Sequence, residues 1–241
     1  MIDLTWMWLF VDSAEDVADE AWAFWGAATG STLSERRGET GQFATLRPAE
    51  GDAWIKLQRV GTGGALHLDL DSPDRAASLA AALGAGATRR GRYHEVEVMS
   101  SPGGFPFCLT RGDGGEWVRG PRTMLDQVCV DIPPRLWDAE VAFWAELTGM
   151  EAATGRTPDY RRLLPPPGRP MRMLLQRLQT DAERVTAHPD FASADRAADT
   201  EAHVALGAEV VRAFEAWTVM RAPGGQVYCL TDRDPGTGLL R

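Results

Sequence analysis

Two short strings in this sequence set an imidazole beside a carboxylate: His67-Leu68-Asp69 and His188-Pro189-Asp190. On a β-strand, residues two apart point the same way, so each His–Asp pair would share one face. A carboxylate there can fix the imidazole tautomer, raise its pKa and prepare it as a general base. The alternative is a hydrogen-bonded fixture of the sheet, and the spacing is compatible with both. No nucleophile or oxyanion donor can be identified next to either pair, so the catalytic residues are unknown. The cysteines, Cys108, Cys129 and Cys229, show no C-x-x-C spacing, which points to neither a disulfide framework nor a structural zinc site. Cys108 and Cys229 lack an adjacent basic residue that would lower their pKa, and they read first as small hydrophobes.

The elements that must position these residues are written twice. His67 and His188, Asp74 and Asp195, and Cys108 and Cys229 stand at a constant offset of 121 residues. Ala23-Phe24-Trp25 matches Ala142-Phe143-Trp144 at an offset of 119, a drift that small changes in loop length explain. Such self-similarity is a duplication. It assigns 1–111 to copy one, 112–123 (Gly-rich and polar, through Pro121) to a linker, and 124–235 to copy two. In copy one, residues 5–12 read as a strand. Ser13-Ala14-Glu15-Asp16 reads as a capping box opening a helix through Val17, Ala21, Phe24 and Ala28, which Gly30 closes. Strands near 42–48, 53–60 and 65–71 follow, then a helix capped by Ser72 with Pro73 in its first turn and ending at Leu83-Gly84. Strands near 87–93, 95–100 and 105–111 complete the copy, the last two joined by Pro102-Gly103-Gly104. Each copy is thus a βαβββ unit used twice. The fold class is α+β, a curved and mostly antiparallel sheet with helices on one face, the other face open to a ligand.

Two pairs of blocks carry a family resemblance: H-L-D-L-x-x-x-D-R-A-A…A-L-G-A (67–85) with V-M-S-S-P-G-G-F-P-F-C-L (98–109), and H-P-D-F (188–191) with W-T-V-M-R-A-P-G-G-Q-V-Y-C-L (217–230). With the doubled βαβββ plan, the chain resembles the vicinal-oxygen-chelate superfamily, as a tandem glyoxalase- and bleomycin-resistance-like protein. In metal-using members the ligands come from the first strand of each unit and from a Glu on the last strand. Those positions fall on Trp8, His67 and Cys108 in copy one, and on Gln127, His188 and Cys229 in copy two. A catalytic divalent site needs about three protein ligands plus an open position. Trp8 cannot ligate, and copy two reaches three only with a neutral amide and a thiol that must first lose its proton. The resemblance therefore implies no metal and no cofactor, and a non-catalytic protein holding a metabolite or antibiotic. The alternatives are a lyase, isomerase or dioxygenase of the same superfamily with a degenerate metal site, and a scaffold whose cavities are filled. Ligand-facing positions are Gln127, Cys129, Asp131, His188 and Asp190 in copy two, and Trp8, His67 and Asp69 in copy one. Trp8, with Phe10, would either plug its cavity or offer a flat ligand a stacking surface.

The bulk composition sets outer bounds. An apolar share of 44% permits a packed core, and a formal charge of −9 excludes sequence-independent nucleic-acid binding and docking on anionic membranes. No apolar run approaches the ~20 residues of a membrane span, and Met1-Ile2-Asp3-Leu4 is unlike a signal peptide, so the cytoplasm is expected. A homodimer is left open. Trp22, Trp25, Trp137 and Trp144 stand at helical positions and are expected to pack, and His94 and His203 have no partner in the other copy.

Overall fold

The structure, a computed structural model, describes residues 1–120, 122–155, 157–169 and 171–241; Pro121 of the expected linker lies outside the described residues. Copy one opens with β1 (Trp6–Ala14), α1 (Ala18–Ala28), β2 (Thr32–Leu33), β3 (Phe43–Arg47) and β4 (Ile55–Val60). It continues with β5 (Leu66–Ser72), α2 (Arg75–Gly84), β6 (Thr88–Tyr93), β7 (Val96–Ser100) and β8 (Pro106–Arg111). Copy two repeats the series: β9 (Met124–Ile132), α3 (Trp137–Thr148), β10 (Glu151–Thr154), β11 (Tyr160–Leu164) and β12 (Arg172–Arg177), then β13 (Thr186–Ala192), α4 (Arg196–Ala205), β14 (Glu209–Ala213), β15 (Trp217–Arg221) and β16 (Val227–Thr231). The two eight-stranded sheets have the same order, β2-β3-β4-β1-β5-β8-β7-β6 and β10-β11-β12-β9-β13-β16-β15-β14. The first strand of every module is central, and β5–β8 and β13–β16 pair in parallel. The expected α+β class with two βαβββ modules per copy is what the structure has. Among the described residues, no helix is long and apolar enough to cross a membrane.

Strand alternation sorts the side chains. In β5 and β8, Leu68 opposes Phe107 and Leu70 opposes Leu109, all fully buried, while Asp69 opposes Cys108 and Asp71 opposes Thr110 on the other face. The apolar face meets helices, but not where the repeat suggests. The chain forms two compact units, one of Met1–Leu9, Leu66–Glu116 and Val128–Ala187, the other of Phe10–Ala65, Trp117–Gln127 and His188–Arg241. In the first unit, α3 of copy two packs on copy one: Trp144 lies 5.6 Å from Phe107 and 6.0 Å from Phe105 between ring centroids. In the second, α1 of copy one packs on copy two, where Trp25 stacks on Phe191 at 6.4 Å and meets Tyr228 at 5.4 Å. Trp22, Trp25, Trp137 and Trp144 are all buried, as expected of packing residues.

Two expected helix starts are corrected. Ser13 does not cap α1: β1 runs through it to Ala14, Ser13 is buried, and α1 begins after Val17 with no side-chain cap. Ser72 likewise ends β5, and Asp74 caps α2 by accepting the Ala77 N–H at 2.9 Å. Asp195 repeats this on Ala198 at 3.1 Å, because a carboxylate one step into the turn reaches the free N–H groups as well as a serine would. Gly30 follows the C-cap Thr29 of α1 with φ +62, the left-handed turn that glycine takes without penalty.

Candidate functional site

In the second unit the His188–Asp190 pair of β13 meets Cys229 of β16. Asp190 and Cys229 are register partners on adjacent parallel strands, so both side chains leave the sheet on the face away from α1. One ligand-capable atom from each of His188, Asp190 and Cys229 lies within 4.8 Å of the other two. His188 Nε2 stands 3.4 Å from Asp190 Oδ1. The two carboxylate oxygens are treated differently. Oδ2 accepts a hydrogen bond from Gln127 Nε2 at 2.6 Å and lies 3.7 Å from Arg233 Nη1. Oδ1 is buried and accepts no hydrogen bond from the described residues. Burial pushes the Asp190 carboxyl above the usual carboxylate range, against the opposing pull of His188, Arg233 and Gln127. Behind it, fully buried Asp126 accepts from Arg233 Nη2 at 2.5 Å and from Arg119, so two acids face two guanidinium groups.

The first unit holds the equivalent group. His67 and Asp69 on β5 and Cys108 on β8 again offer atoms within 4.8 Å of one another, with His67 Nε2 3.7 Å from Asp69 Oδ1. Trp8 departs from its counterpart Gln127. Its longer indole donates to Asp71 Oδ2 at 2.8 Å, while Thr110 donates to Asp71 Oδ1 at 2.5 Å. Asp71 corresponds to Ala192 by the repeat, so copy two has no such anchor. Phe10 lies in the second unit, where the Lys56 ammonium sits 5.2 Å over its ring.

His188, Asp190 and Gln127 lie together in the second unit, and Trp8, His67 and Asp69 lie on the corresponding face of copy one. Cys129 and Asp131 belong to the first unit by contact, and Cys129 Sγ lies 3.4 Å from Gln176 Oε1 there. Sequence reasoning missed Arg233, Asp126 and Arg119. The readable signal was a difference between the copies, since Gly112 and Met7 stand where copy two has Arg233 and Asp126.

These residues fit a divalent cation. The count that argued against one left out Asp69 and Asp190. Two N or O ligands held at about 2.0–2.2 Å in tetrahedral geometry stand roughly 3.4 Å apart. The His188–Asp190 separation of 3.4 Å matches that spacing and exceeds a direct N–H···O hydrogen bond. The orphaned Oδ1 of Asp190 is the atom such a cation would satisfy.

A family model described as the glyoxalase-like domain matches residues 8–110 and again 127–231. The chain belongs to the glyoxalase-like family. As a tandem glyoxalase-like chain it is also a vicinal-oxygen-chelate protein, and solved structures share its fold over nearly its whole length. A Mn(II)-bound glyoxalase from Novosphingobium aromaticivorans is 15% identical, with 95% of this chain and 82% of that one covered at a TM-score of 0.65. For 2,2',3-trihydroxybiphenyl 1,2-dioxygenase from Sphingomonas wittichii the values are 15%, 95%, 90% and 0.61. For a variant of 4-hydroxymandelate synthase from Streptomyces coelicolor they are 14%, 95%, 93% and 0.60. No curated protein matches the sequence. These neighbours correct the expectation of a non-catalytic binding protein. The tandem fold recurs in proteins named for catalysis, several of them dioxygenases.

Proposed function

We propose that this glyoxalase-like chain is an enzyme of the lyase, isomerase or dioxygenase kind with an atypical divalent-metal site at His188, Asp190 and Cys229, acting on a small oxygen-bearing substrate. The observation that carries this is the triangle of donor atoms within 4.8 Å, built on one register pair of parallel strands. A cation held there supplies Lewis-acid polarisation of a substrate oxygen. The protein's own residues prepare the corner. Gln127 and Arg233 engage Oδ2 of Asp190 and leave Oδ1 turned to His188. Asp126 is held by two arginines and in turn fixes Arg233. Cys229 offers a thiol that ligates only after losing its proton.

One imidazole, one carboxylate and one thiol differ from the two imidazoles and a carboxylate typical of non-haem iron oxygenases. The donor set thus favours lyase or isomerase chemistry over oxygen activation. The test is to strip the protein with a chelator, restore zinc, manganese, cobalt or iron(II), and follow turnover of hemithioacetals and catechols with cation binding by calorimetry. Metal-dependent turnover that His188→Ala abolishes is expected. A protein that binds no divalent cation at His188, or turnover indifferent to His188→Ala, overturns the reading.

A further inference from the structure

The geometry points to a second, separate cation site in copy one, formed by His67, Asp69 and Cys108 and suited to a thiophilic divalent ion such as zinc or cobalt(II). It extends the reading of copy two but stands on its own residues. All three donors come from one βαβββ module, on strands β5 and β8. Asp69 and Cys108 are register partners, and His67 follows the same face two residues back. The three donor atoms lie within 4.8 Å of one another, and the 3.7 Å between His67 Nε2 and Asp69 Oδ1 suits two ligands of one ion better than a direct hydrogen bond. A nitrogen, a carboxylate oxygen and a sulfur are a donor set that zinc accepts readily.

The surroundings strengthen the case relative to copy two. Where copy two places Arg233, copy one has Gly112, and a Cβ on Gly112 would stand 2.3 Å from Asp71 Oδ2. A side chain is thus excluded at the position from which copy two directs a guanidinium at its acids. Asp71 instead brings a second carboxylate to this face. Trp8 and Thr110 donate hydrogen bonds to its two oxygens and hold it outside the donor triangle. Copy one therefore presents two carboxylates on this face, with glycine at the position that carries Arg233 in copy two.

The experiment is a cobalt(II) titration of the full-length metal-free protein, read by the near-ultraviolet sulfur-to-cobalt charge-transfer band and by metal content after gel filtration. It is repeated on His67→Ala, Cys108→Ser, His188→Ala and Cys229→Ser. The expected result is two equivalents, one lost with either copy-one variant and the other with either copy-two variant. A single equivalent that needs His188 but not His67 or Cys108 overturns this inference and leaves the proposed function standing. A single equivalent that needs His67 and Cys108 but not His188 supports this site and defeats the proposed one. No binding at all defeats both. Should a variant misfold, alkylation of the unaltered protein decides: cobalt should protect half-buried Cys108, located by mass spectrometry, and unprotected Cys108 overturns the site.

Discussion

Each glycine of the repeated Pro-Gly-Gly turn meets a different physical demand. A Cβ on Gly103 would lie 2.4 Å from Val185 Cγ2 and 2.8 Å from Glu140 Oε1, and one on Gly224 would lie 2.7 Å from the Ala21 Cβ. Gly104 and Gly225 instead sit at φ +88 and +84, where other residues are strained. Gly103→Ala should therefore overpack a rigid corner and cost about 1–3 kcal/mol, read as a lower urea midpoint. Gly61→Ala, which meets nothing within 4 Å, is the control and should leave the midpoint in place. His203 is a second residue with a measurable consequence. It is buried against Phe24 and Phe191, its Nδ1 lies 2.9 Å from the Tyr228 hydroxyl, and burial lowers its pKa against the pull of Asp199. The folded protein thus resists a proton that the unfolded chain accepts. Its share of stability is intact above the ordinary value of 6.5 and is lost as pH falls below it toward the depressed folded value. Thermal melts across that window should show a falling midpoint, and His203→Gln, which keeps a hydrogen-bonding partner for Tyr228, should flatten the slope.

At the scale of elements, two parallel strand pairs hold the candidate donor atoms. Register puts a carboxylate opposite a thiol in β5–β8 and again in β13–β16, and a neighbouring strand supplies what tunes it. Gln127 of β9 should act as a positioning residue. Gln127→Ala is expected to weaken cation affinity by about 10–100-fold in calorimetry, with the fold intact. Arg233→Met should be harsher, since it leaves buried Asp126 and Asp190 short of a counter-charge; a loss of about 3–5 kcal/mol in denaturant unfolding is expected. The duplication and the succession of elements along the chain were legible because alternation and a constant offset are properties of the sequence itself. The helix starts were misread because Ser13 and Ser72 are good caps by type, while the strands before them continue until their backbone groups are paired. The Arg233–Asp126 pair spans 107 positions in the chain, and no local pattern announces such a partner.

At the scale of the whole molecule, an apolar helix face was readable but its destination was not. The rings of Phe24 and Trp25 state that α1 must be covered, and nothing in their spacing says that Phe191 and Tyr228 will cover them. A chain of residues 1–123 should therefore fail to unfold cooperatively in urea and should bind hydrophobic dyes. Such a fragment melting as one sharp transition would show that copy one completes its own core. The same arrangement gives the protein an unusually long wait during its birth. Helix α1 leaves the ribosome first, and its aromatic partners Phe191 and Tyr228 follow only after a delay on the order of ten seconds at typical elongation speeds. Until then its rings are available to wrong partners, including another nascent copy. Folding dominated by such distant closures is slow and exposed to aggregation. The yield of this chain in a cell should then depend on chaperone supply and translation speed more steeply than its length would suggest.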